Sequence, residues 1–339
     1  MTKPTVVLAI ESSCDETSAS VVKDGRQILS NVISSQIKIH TKYAGVVPEL
    51  ASRAHLENIN RVIAIALNKA GSSVRELSKT IDAITYTQGP GLAGALLVGQ
   101  IAARTLAFAS SITLVPINHL EGHIFSAMLE HKGLKPPYLC LIASGGHSEL
   151  VILRDYGVYE YLGGTCDDAA GEAFDKVAKL LGLSYPGGPS IEKLAATVKS
   201  ANIKFPQAKL KNAWDFSFSG LKTAVLYYLK ENPNASAPEV AYAFQKAVVE
   251  ALSVKTFKAA RKFKISKVAI GGGVGANLSL RTTFKALGKA NNCKVFLPSL
   301  ELCTDNAAML ACAAYYKVKH SKDKFIDGRI EPSMPLRNW

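Results

Sequence analysis

Two histidines one helical turn apart, His119 and His123 in Asn118-His119-Leu120-Glu121-Gly122-His123, are the residues best placed to do chemistry in this chain. Positions i and i+4 share a helix face, so both imidazoles can reach one ion. Imidazole suits iron, zinc and similar borderline cations, and a carboxylate commonly completes such a site. Alone, the spacing also fits one histidine that packs or caps and a second that is solvated. A metalloprotease helix needs Glu directly after the first His or directly before the second. Glu121 stands at i+2 instead, about 200° around the helix from His119. The spacing therefore predicts a Glu121 aimed at solvent, away from any ion the histidines share. Metal binding is expected and peptide hydrolysis disfavoured.

Three turns, each following an apolar strand, add candidate chemistry. Glu11-Ser12-Ser13-Cys14-Asp15-Glu16-Thr17 packs small hydroxyls and the carboxylates of Asp15 and Glu16 into one turn, where they serve a reaction or hydrogen-bond within the turn itself. In Ala143-Ser144-Gly145-Gly146-His147-Ser148 the paired glycines let backbone N–H groups approach a phosphate. Gly271-Gly272-Gly273-Val274-Gly275-Ala276-Asn277 opens a helix whose N-terminus favours an anion. It looks like a dinucleotide fingerprint, but no acidic residue follows about 20 positions on at the end of a second strand. Any one of the three also fits a plain tight turn.

The elements that position these residues form an α/β pattern stated twice. Strands are predicted over 5–12, 17–23 and 28–34, a helix over 50–70, a strand over 81–87, a small-residue helix over 94–110 and a strand over 114–117 that delivers the histidine helix. The pattern restarts with strands over 138–143, 148–154 and 159–162. Helices follow over 169–181, 219–230 and 239–263, then a strand over 268–271, a helix over 278–291, a strand over 294–296 and a last helix over 305–320. Two such halves, with the three turns spread across them, predict a two-lobed actin/Hsp70/sugar-kinase-like fold, duplicated RNase H-like domains around a central cleft. The expected lobes are 1–128, completed by the C-terminal helix and tail 307–339, and 129–306.

Composition sets outer limits. The 339 residues, 48% hydrophobic and 20% charged, describe a globular protein long enough for two cores. No basic segment precedes an apolar run at the N-terminus and no uninterrupted apolar stretch approaches 18 residues, so a cytoplasmic protein with no membrane partner is expected. Cys14, Cys140, Cys166, Cys293, Cys303 and Cys312 form no CxxC pair and read as reduced, mostly buried thiols. The net charge of +13 favours an anionic partner. Lys255, Lys258 and Lys262 fall on one side of a helix as a rail for phosphates, and a second basic stretch holds Lys199, Lys204, Lys209 and Lys211. Each equally fits a solvated face.

Taken together, Ile10 to Thr17, Gly45-Val46-Val47-Pro48-Glu49-Leu50-Ala51-Ser52-Arg53, Thr87-Gln88-Gly89-Pro90-Gly91-Leu92 and Asn118 to His123 resemble the TsaD (Gcp/YgjD) family. So do Ser144-Gly145-Gly146-His147, Asp215-Phe216-Ser217-Phe218-Ser219-Gly220-Leu221-Lys222 and Cys303-Thr304-Asp305-Asn306-Ala307-Ala308-Met309. These blocks span nearly the whole chain. The resemblance implies a tRNA N6-adenosine threonylcarbamoyltransferase of the bacterial or organellar branch. Such an enzyme moves the threonylcarbamoyl group from threonylcarbamoyl-AMP to N6 of adenosine 37 in tRNAs reading codons that begin with A.

By the same resemblance His119, His123 and Asp305 hold one divalent metal, usually iron(II), with zinc the other option. Ile142, Ala143, Ser144, Gly145, Gly146, Asp175, Gly188 and Asn277 bind the acyl-adenylate. Glu192 stands where several relatives carry Asp, and its longer arm would reach a ribose hydroxyl. Asp15, Glu16 and His147 match positions near the reacting group. TsaB and TsaE homologues are the implied partners; the Gly and Ala positions of helix 94–108 suit close packing against TsaB or, equally, burial within its own lobe. Two other function classes stay open: a metal-dependent endopeptidase, and a non-catalytic nucleotide-binding regulator.

Overall fold

The computed structural model describes residues 4–43, 45–321 and 328–339. Residues 322–327 of the expected 307–339 completion lie outside the described residues. The chain divides into two compact units: Met1–Pro136 with Asp155–Tyr159 and Asp305–Trp339, and Pro137–Arg154 with Glu160–Thr304.

The first unit begins with β1 (Val6–Glu11), β2 (Glu16–Lys23) and β3 (Gln27–Ser35), then β4 (Ala83–Gly89) and β5 (Thr113–Asn118). Their order is β3-β2-β1-β4-β5, antiparallel through the first three and parallel from β1 onward. The apolar run Val-Val-Leu-Ala-Ile makes β1 central and buried on both faces, as a strand covered by helices on each side requires. The helices are α1 (Ile37–His40), α2 (Pro48–Lys69), α3 (Leu77–Thr80), α4 (Ala93–Ser110) and α5 (His119–Glu130). Pro48 starts α2 where its missing N–H costs nothing. Leu8, Ile10, Ile63, Leu67, Ile84 and Tyr86 form the centre of the core.

The second unit holds β6 (Tyr138–Ala143), β7 (Ser148–Asp155), β8 (Val158–Gly164), β9 (Lys267–Gly271) and β10 (Lys294–Phe296) in the order β8-β7-β6-β9-β10. This is the order of the first sheet again, with β9 and β10 added in parallel on the far side of β6. Each unit thus carries the same five-stranded RNase H-like sheet, the duplicated α/β architecture expected. Its helices are α6 (Ala170–Leu180), α7 (Gly187–Ala195), α8 (Ser219–Glu231), α9 (Ala237–Lys262), α10 (Leu278–Ala290) and α11 (Leu300–Cys303); α12 (Ala307–His320) belongs to the first unit.

The four-residue helices α1, α3 and α11 and the longer α7 escape the sequence patterns. Tyr185-Pro186-Gly187-Gly188-Pro189 reads as a turn, yet α7 starts at Gly187, because Pro189 falls in the first turn where no intrahelical N–H is needed. That helix carries Gly188 and Glu192. All six cysteines are free thiols; three are buried and Cys166 is exposed.

Candidate functional site

The histidine helix is anchored before it is loaded. Asn118, the last residue of β5, accepts the Leu120 N–H on its side chain at 2.8 Å, and Glu121 Oε2 accepts the Asn118 N–H at 3.2 Å. This capping box satisfies two otherwise orphaned donors and makes His119 the first residue of α5. From His119 to Leu129 every residue is buried. α12 packs so closely that a Cβ on Gly122 would stand 2.9 Å from Met309 Cγ. Asn306 caps α12 by accepting the Met309 N–H, and Ser18 Oγ accepts the N–H of Ala307, which fixes Asp305 just before the helix.

Asp305 Oδ1 lies 3.2 Å from His123 Nε2 and 3.6 Å from His119 Nε2. One ligand atom from each of the three residues falls within 4.8 Å of the others. Behind them, His119 Nδ1 sits 3.1 Å from Glu11 Oε2 and 3.2 Å from Ser13 Oγ. Glu11 is itself held by the Thr87 hydroxyl at 2.7 Å and the Ser13 N–H at 2.5 Å. A carboxylate on the far nitrogen orients a ligand imidazole and raises its basicity.

The electrostatics ask for positive charge here. Burial pulls the His119 imidazole down, but the Asp305 and Glu11 carboxylates outweigh it and lift it to about 9. Burial raises Glu11, and His119 more than reverses it. Burial lowers His123, whose Nδ1 has no hydrogen-bond partner among the described residues and whose Nε2 faces the Asp305 carboxylate. An orphaned buried imidazole beside a carboxylate fits a bound cation. The residues present fit one divalent ion; the donor set suits iron and zinc alike.

Glu121 requires a correction. It is buried, 2% exposed, not aimed at solvent. Its Oε1 accepts the Trp339 indole N–H at 2.5 Å, and Oε2 is spent on the helix cap. Burial raises its carboxyl, against the pull of Lys317. Both oxygens are thus held by the fold itself, one on the indole and one on the helix cap. The Asn-x-x-Glu spacing of the box was the signal for this role.

Asp15 and Glu16 lie in the same unit, on the turn between β1 and β2. Burial, with Asp15 and Asp305 adding to it, raises Glu16 well above the usual carboxylate range. The turn is pinned by His55, a fully buried residue of α2 that sequence reasoning did not single out. Its Nε2 meets the Cys14 carbonyl at 2.9 Å and its Nδ1 the Thr17 hydroxyl at 2.8 Å. A carbonyl only accepts, so Nε2 carries the proton and Nδ1 accepts from Thr17. Nothing in the spacing around His55 marks it, since a buried polar contact depends on which loop the helix meets.

In the second unit, Ile142 and Ala143 are buried at the end of β6 and can offer a ligand only backbone atoms. The Ser144 N–H donates to the His147 carbonyl at 2.8 Å, and the His147 N–H to Ser144 Oγ at 3.1 Å, closing the turn. Gly272, at φ +93°, lies so near that a Cβ there would stand 2.3 Å from the Ala143 carbonyl oxygen. This close approach needs glycine and brings the two glycine turns together. At Gly145 and Gly146 a Cβ would meet nothing within 4 Å, so open space remains beside the turn.

The other four candidates meet through α7. Asp175 Oδ1 accepts the N–H of Gly187, next to Gly188, at 2.7 Å, and Glu192 Oε1 accepts the Leu278 N–H at 2.6 Å. Asn277 caps α10 by accepting the Leu280 N–H and donates to Gln245 Oε1 at 2.8 Å. Gln245, a buried polar residue of α9, was also missed. The Glu192 carboxylate, expected to reach a ribose, is bonded to the α10 N-terminus instead.

A sequence model of the TsaD family, described as tRNA N6-adenosine threonylcarbamoyltransferase, matches residues 27–312. This chain belongs to the TsaD family. A relative carrying that enzyme name in Endomicrobium trichonymphae is 54% identical over 338 residues, covering 98% of this chain and 99% of its own. Another in Clostridioides difficile (strain 630) is 51% identical over 336 residues, 98% of each chain. Family members are acyltransferases acting on tRNA.

Solved structures share the fold alone. Full-length HypF in the phosphate- and nucleotide-bound form matches with TM-score 0.62 at 15% identity, over 94% of this chain and 47% of that one. The activator of a 2-hydroxyisocaproyl-CoA dehydratase from Clostridium difficile, with bound ADPNP, matches with TM-score 0.54 at 14% identity, over 95% and 99%. One helix, Ala93–Ser110, is long and apolar enough to cross a membrane by length and composition, but one face of it packs on α2 and β4.

Proposed function

We propose that this chain transfers the threonylcarbamoyl group from threonylcarbamoyl-AMP to N6 of adenosine 37 in tRNAs that read codons beginning with A. The observation that carries this is the meeting of His119, His123 and Asp305 at ligand distance, in a member of the TsaD family. His119 Nε2, His123 Nε2 and an Asp305 oxygen would hold one divalent cation, iron(II) in our reading, with zinc second. When bound it supplies Lewis acidity and a template for phosphate and carbamate oxygens.

The chain's own residues supply the rest. The backbone N–H groups of Gly145 and Gly146, beside Ser144, take the phosphate, next to Ile142 and Ala143. Asp175, Gly188, Glu192 and Asn277 take the adenosine end, with Glu192 acting through the α10 N-terminus or exchanging that bond for a ribose hydroxyl. The adenine N6 lone pair attacks the carbamoyl carbon, the carbon–oxygen bond to phosphate breaks, and AMP leaves with that electron pair. The amine proton goes to a base. Asp15 or Glu16 orients the amine and accepts that proton, and burial raises the Glu16 carboxyl, which favours the uptake. His147, which closes the Ser144 turn, is the third group we assign to the reaction. An exocyclic amine is a weak nucleophile, so positioning carries much of the rate.

We infer further that the lobes are 1–128 with 307–339, and 129–306, and that the protein works in the cytoplasm with TsaB and TsaE homologues. The exposed apolar residues Leu97, Ile101 and Phe108 of α4, the last 90% exposed, support a TsaB contact there. The test is incubation of the protein, with and without those partners, with threonylcarbamoyl-AMP and unmodified tRNA, followed by nucleoside analysis. Threonylcarbamoyladenosine is the expected product. Its absence in every combination would end this reading, and chelator-sensitive peptide hydrolysis would revive the protease.

A further inference from the structure

Two basic stretches far apart in sequence are brought onto one face of the second unit. Residues 199–215 hold Lys199, Lys204, Lys209 and Lys211, and residues 255–267 hold Lys255, Lys258, Arg261, Lys262, Lys264 and Lys267. The only carboxylate in either stretch is Asp215, whose Oδ1 is already taken by the Gly164 N–H and the Asn212 amide. The stretches are joined by packing. Trp214 lies against Phe263 with ring centroids 5.7 Å apart, and Pro206, Gln207 and Ala208 line one cavity with Ala247, Ala251 and Lys255 of α9.

The pattern also sorts the lysines. Lys255, expected on the rail, turns inward: its ammonium donates to the Asp215 carbonyl and lies 5.4 Å from the centre of the Phe216 ring. It therefore ties the two stretches together. Lys204, Lys209, Lys211, Lys258, Arg261, Lys262 and Lys264 are exposed, and among the described residues none forms an ion pair with a carboxylate. Seven exposed cations on two segments that pack together raise the local positive potential and attract an anionic partner.

We infer that this face, formed by the end of α9 and the segment 204–211, is a docking surface for the phosphate backbone of the substrate RNA. It rests on the transfer reading above and adds to it a contact outside the metal centre and the glycine turns. Phosphate contacts of this kind give affinity and orientation without base recognition.

The test is tRNA binding measured against salt for the full-length protein, for Lys258→Ala/Arg261→Ala/Lys262→Ala, and for Lys69→Ala/Arg75→Ala/Lys79→Ala, which removes the same charge from the first unit. Circular dichroism verifies that each variant is folded. Released counterions set the salt dependence, so the first variant should lose roughly ten-fold in affinity near physiological salt. Its slope of log affinity on log salt should be shallower by about 0.7–0.9 per lost contact, while the control keeps the wild-type slope. Unchanged affinity and slope in the first variant, or equal losses in the control, would overturn the inference. So would binding to anionic vesicles that the first variant loses while its tRNA binding stays intact. Wild-type protein that still makes the modified nucleoside in those cases separates this failure from failure of the transfer reading.

Discussion

At the scale of single residues, the metal centre is a charge problem solved by geometry. Three donors converge from α5 and from Asp305, two residues before α12, and Glu11 steers His119 from behind. His119→Ala, His123→Ala and Asp305→Ala should each lose bound divalent metal while keeping a native circular dichroism spectrum. Metal content after dialysis, read by plasma mass spectrometry, checks it; wild-type occupancy in all three would refute the ligand set. Glu149 offers an independent prediction away from the metal ligands. Burial alone lifts its carboxyl from an ordinary 4.5 to about 7. The folded state therefore binds the extra proton between those values, so stability falls as pH rises from about 4.5 to 7. Glu149→Gln should leave stability unchanged near pH 4 and raise it by on the order of 1–2 kcal/mol at pH 8, read by urea denaturation at the two pH values. A gain of equal size at both would contradict the cause given.

At the scale of elements, the notable device is the C-terminal strap of residues 328–339. Gln100 donates to the Gly328 carbonyl at 2.7 Å, Gln88 to Arg329 at 3.0 Å and Asn118 to Pro335 at 3.1 Å. Trp339 then stacks on Phe125 of α5, centroids 6.0 Å apart, and donates to Glu121 in the first turn of the same helix. The strap holds the helix that bears both histidines at its start and on its face. Trp339→Phe keeps most of the stacking but leaves a buried Glu121 oxygen without its donor, and should cost about 1–3 kcal/mol in denaturant unfolding. Trp339→Ala also forfeits ring contacts and should cost more, about 3–5 kcal/mol. Equal effects from the two would mean that the hydrogen bond contributes nothing.

At the scale of the whole molecule, two units repeat one sheet order within a single chain, and each keeps its own core. Strands were legible from apolar runs and meander spacing because a buried strand has to be apolar wherever it sits. The long helices were legible for a similar reason, with errors of a residue or two at their ends. α7 was not, since its two glycines and proline carry turn chemistry that only a neighbouring Asp175 and α10 turn into a helix start. The histidine pair and the hydroxyl and glycine turns could be picked out by residue type alone. Their partners Glu11, His55, Gln245 and Trp339 could not, being recruited from positions up to hundreds of residues away.

By itself the sequence determined the elements, the family and the residue types able to bind an ion or a phosphate, because periodicity and donor chemistry are local properties. The family resemblance already implied Asp305 beside the two histidines, whereas tertiary structure alone decided that Glu11 orients His119, that Glu121 is buried under Trp339 and that two lysine stretches pack together. Those outcomes depend on chain reversals that bring distant side chains within a few ångströms, and no local pattern records which distant partner a buried polar group will find.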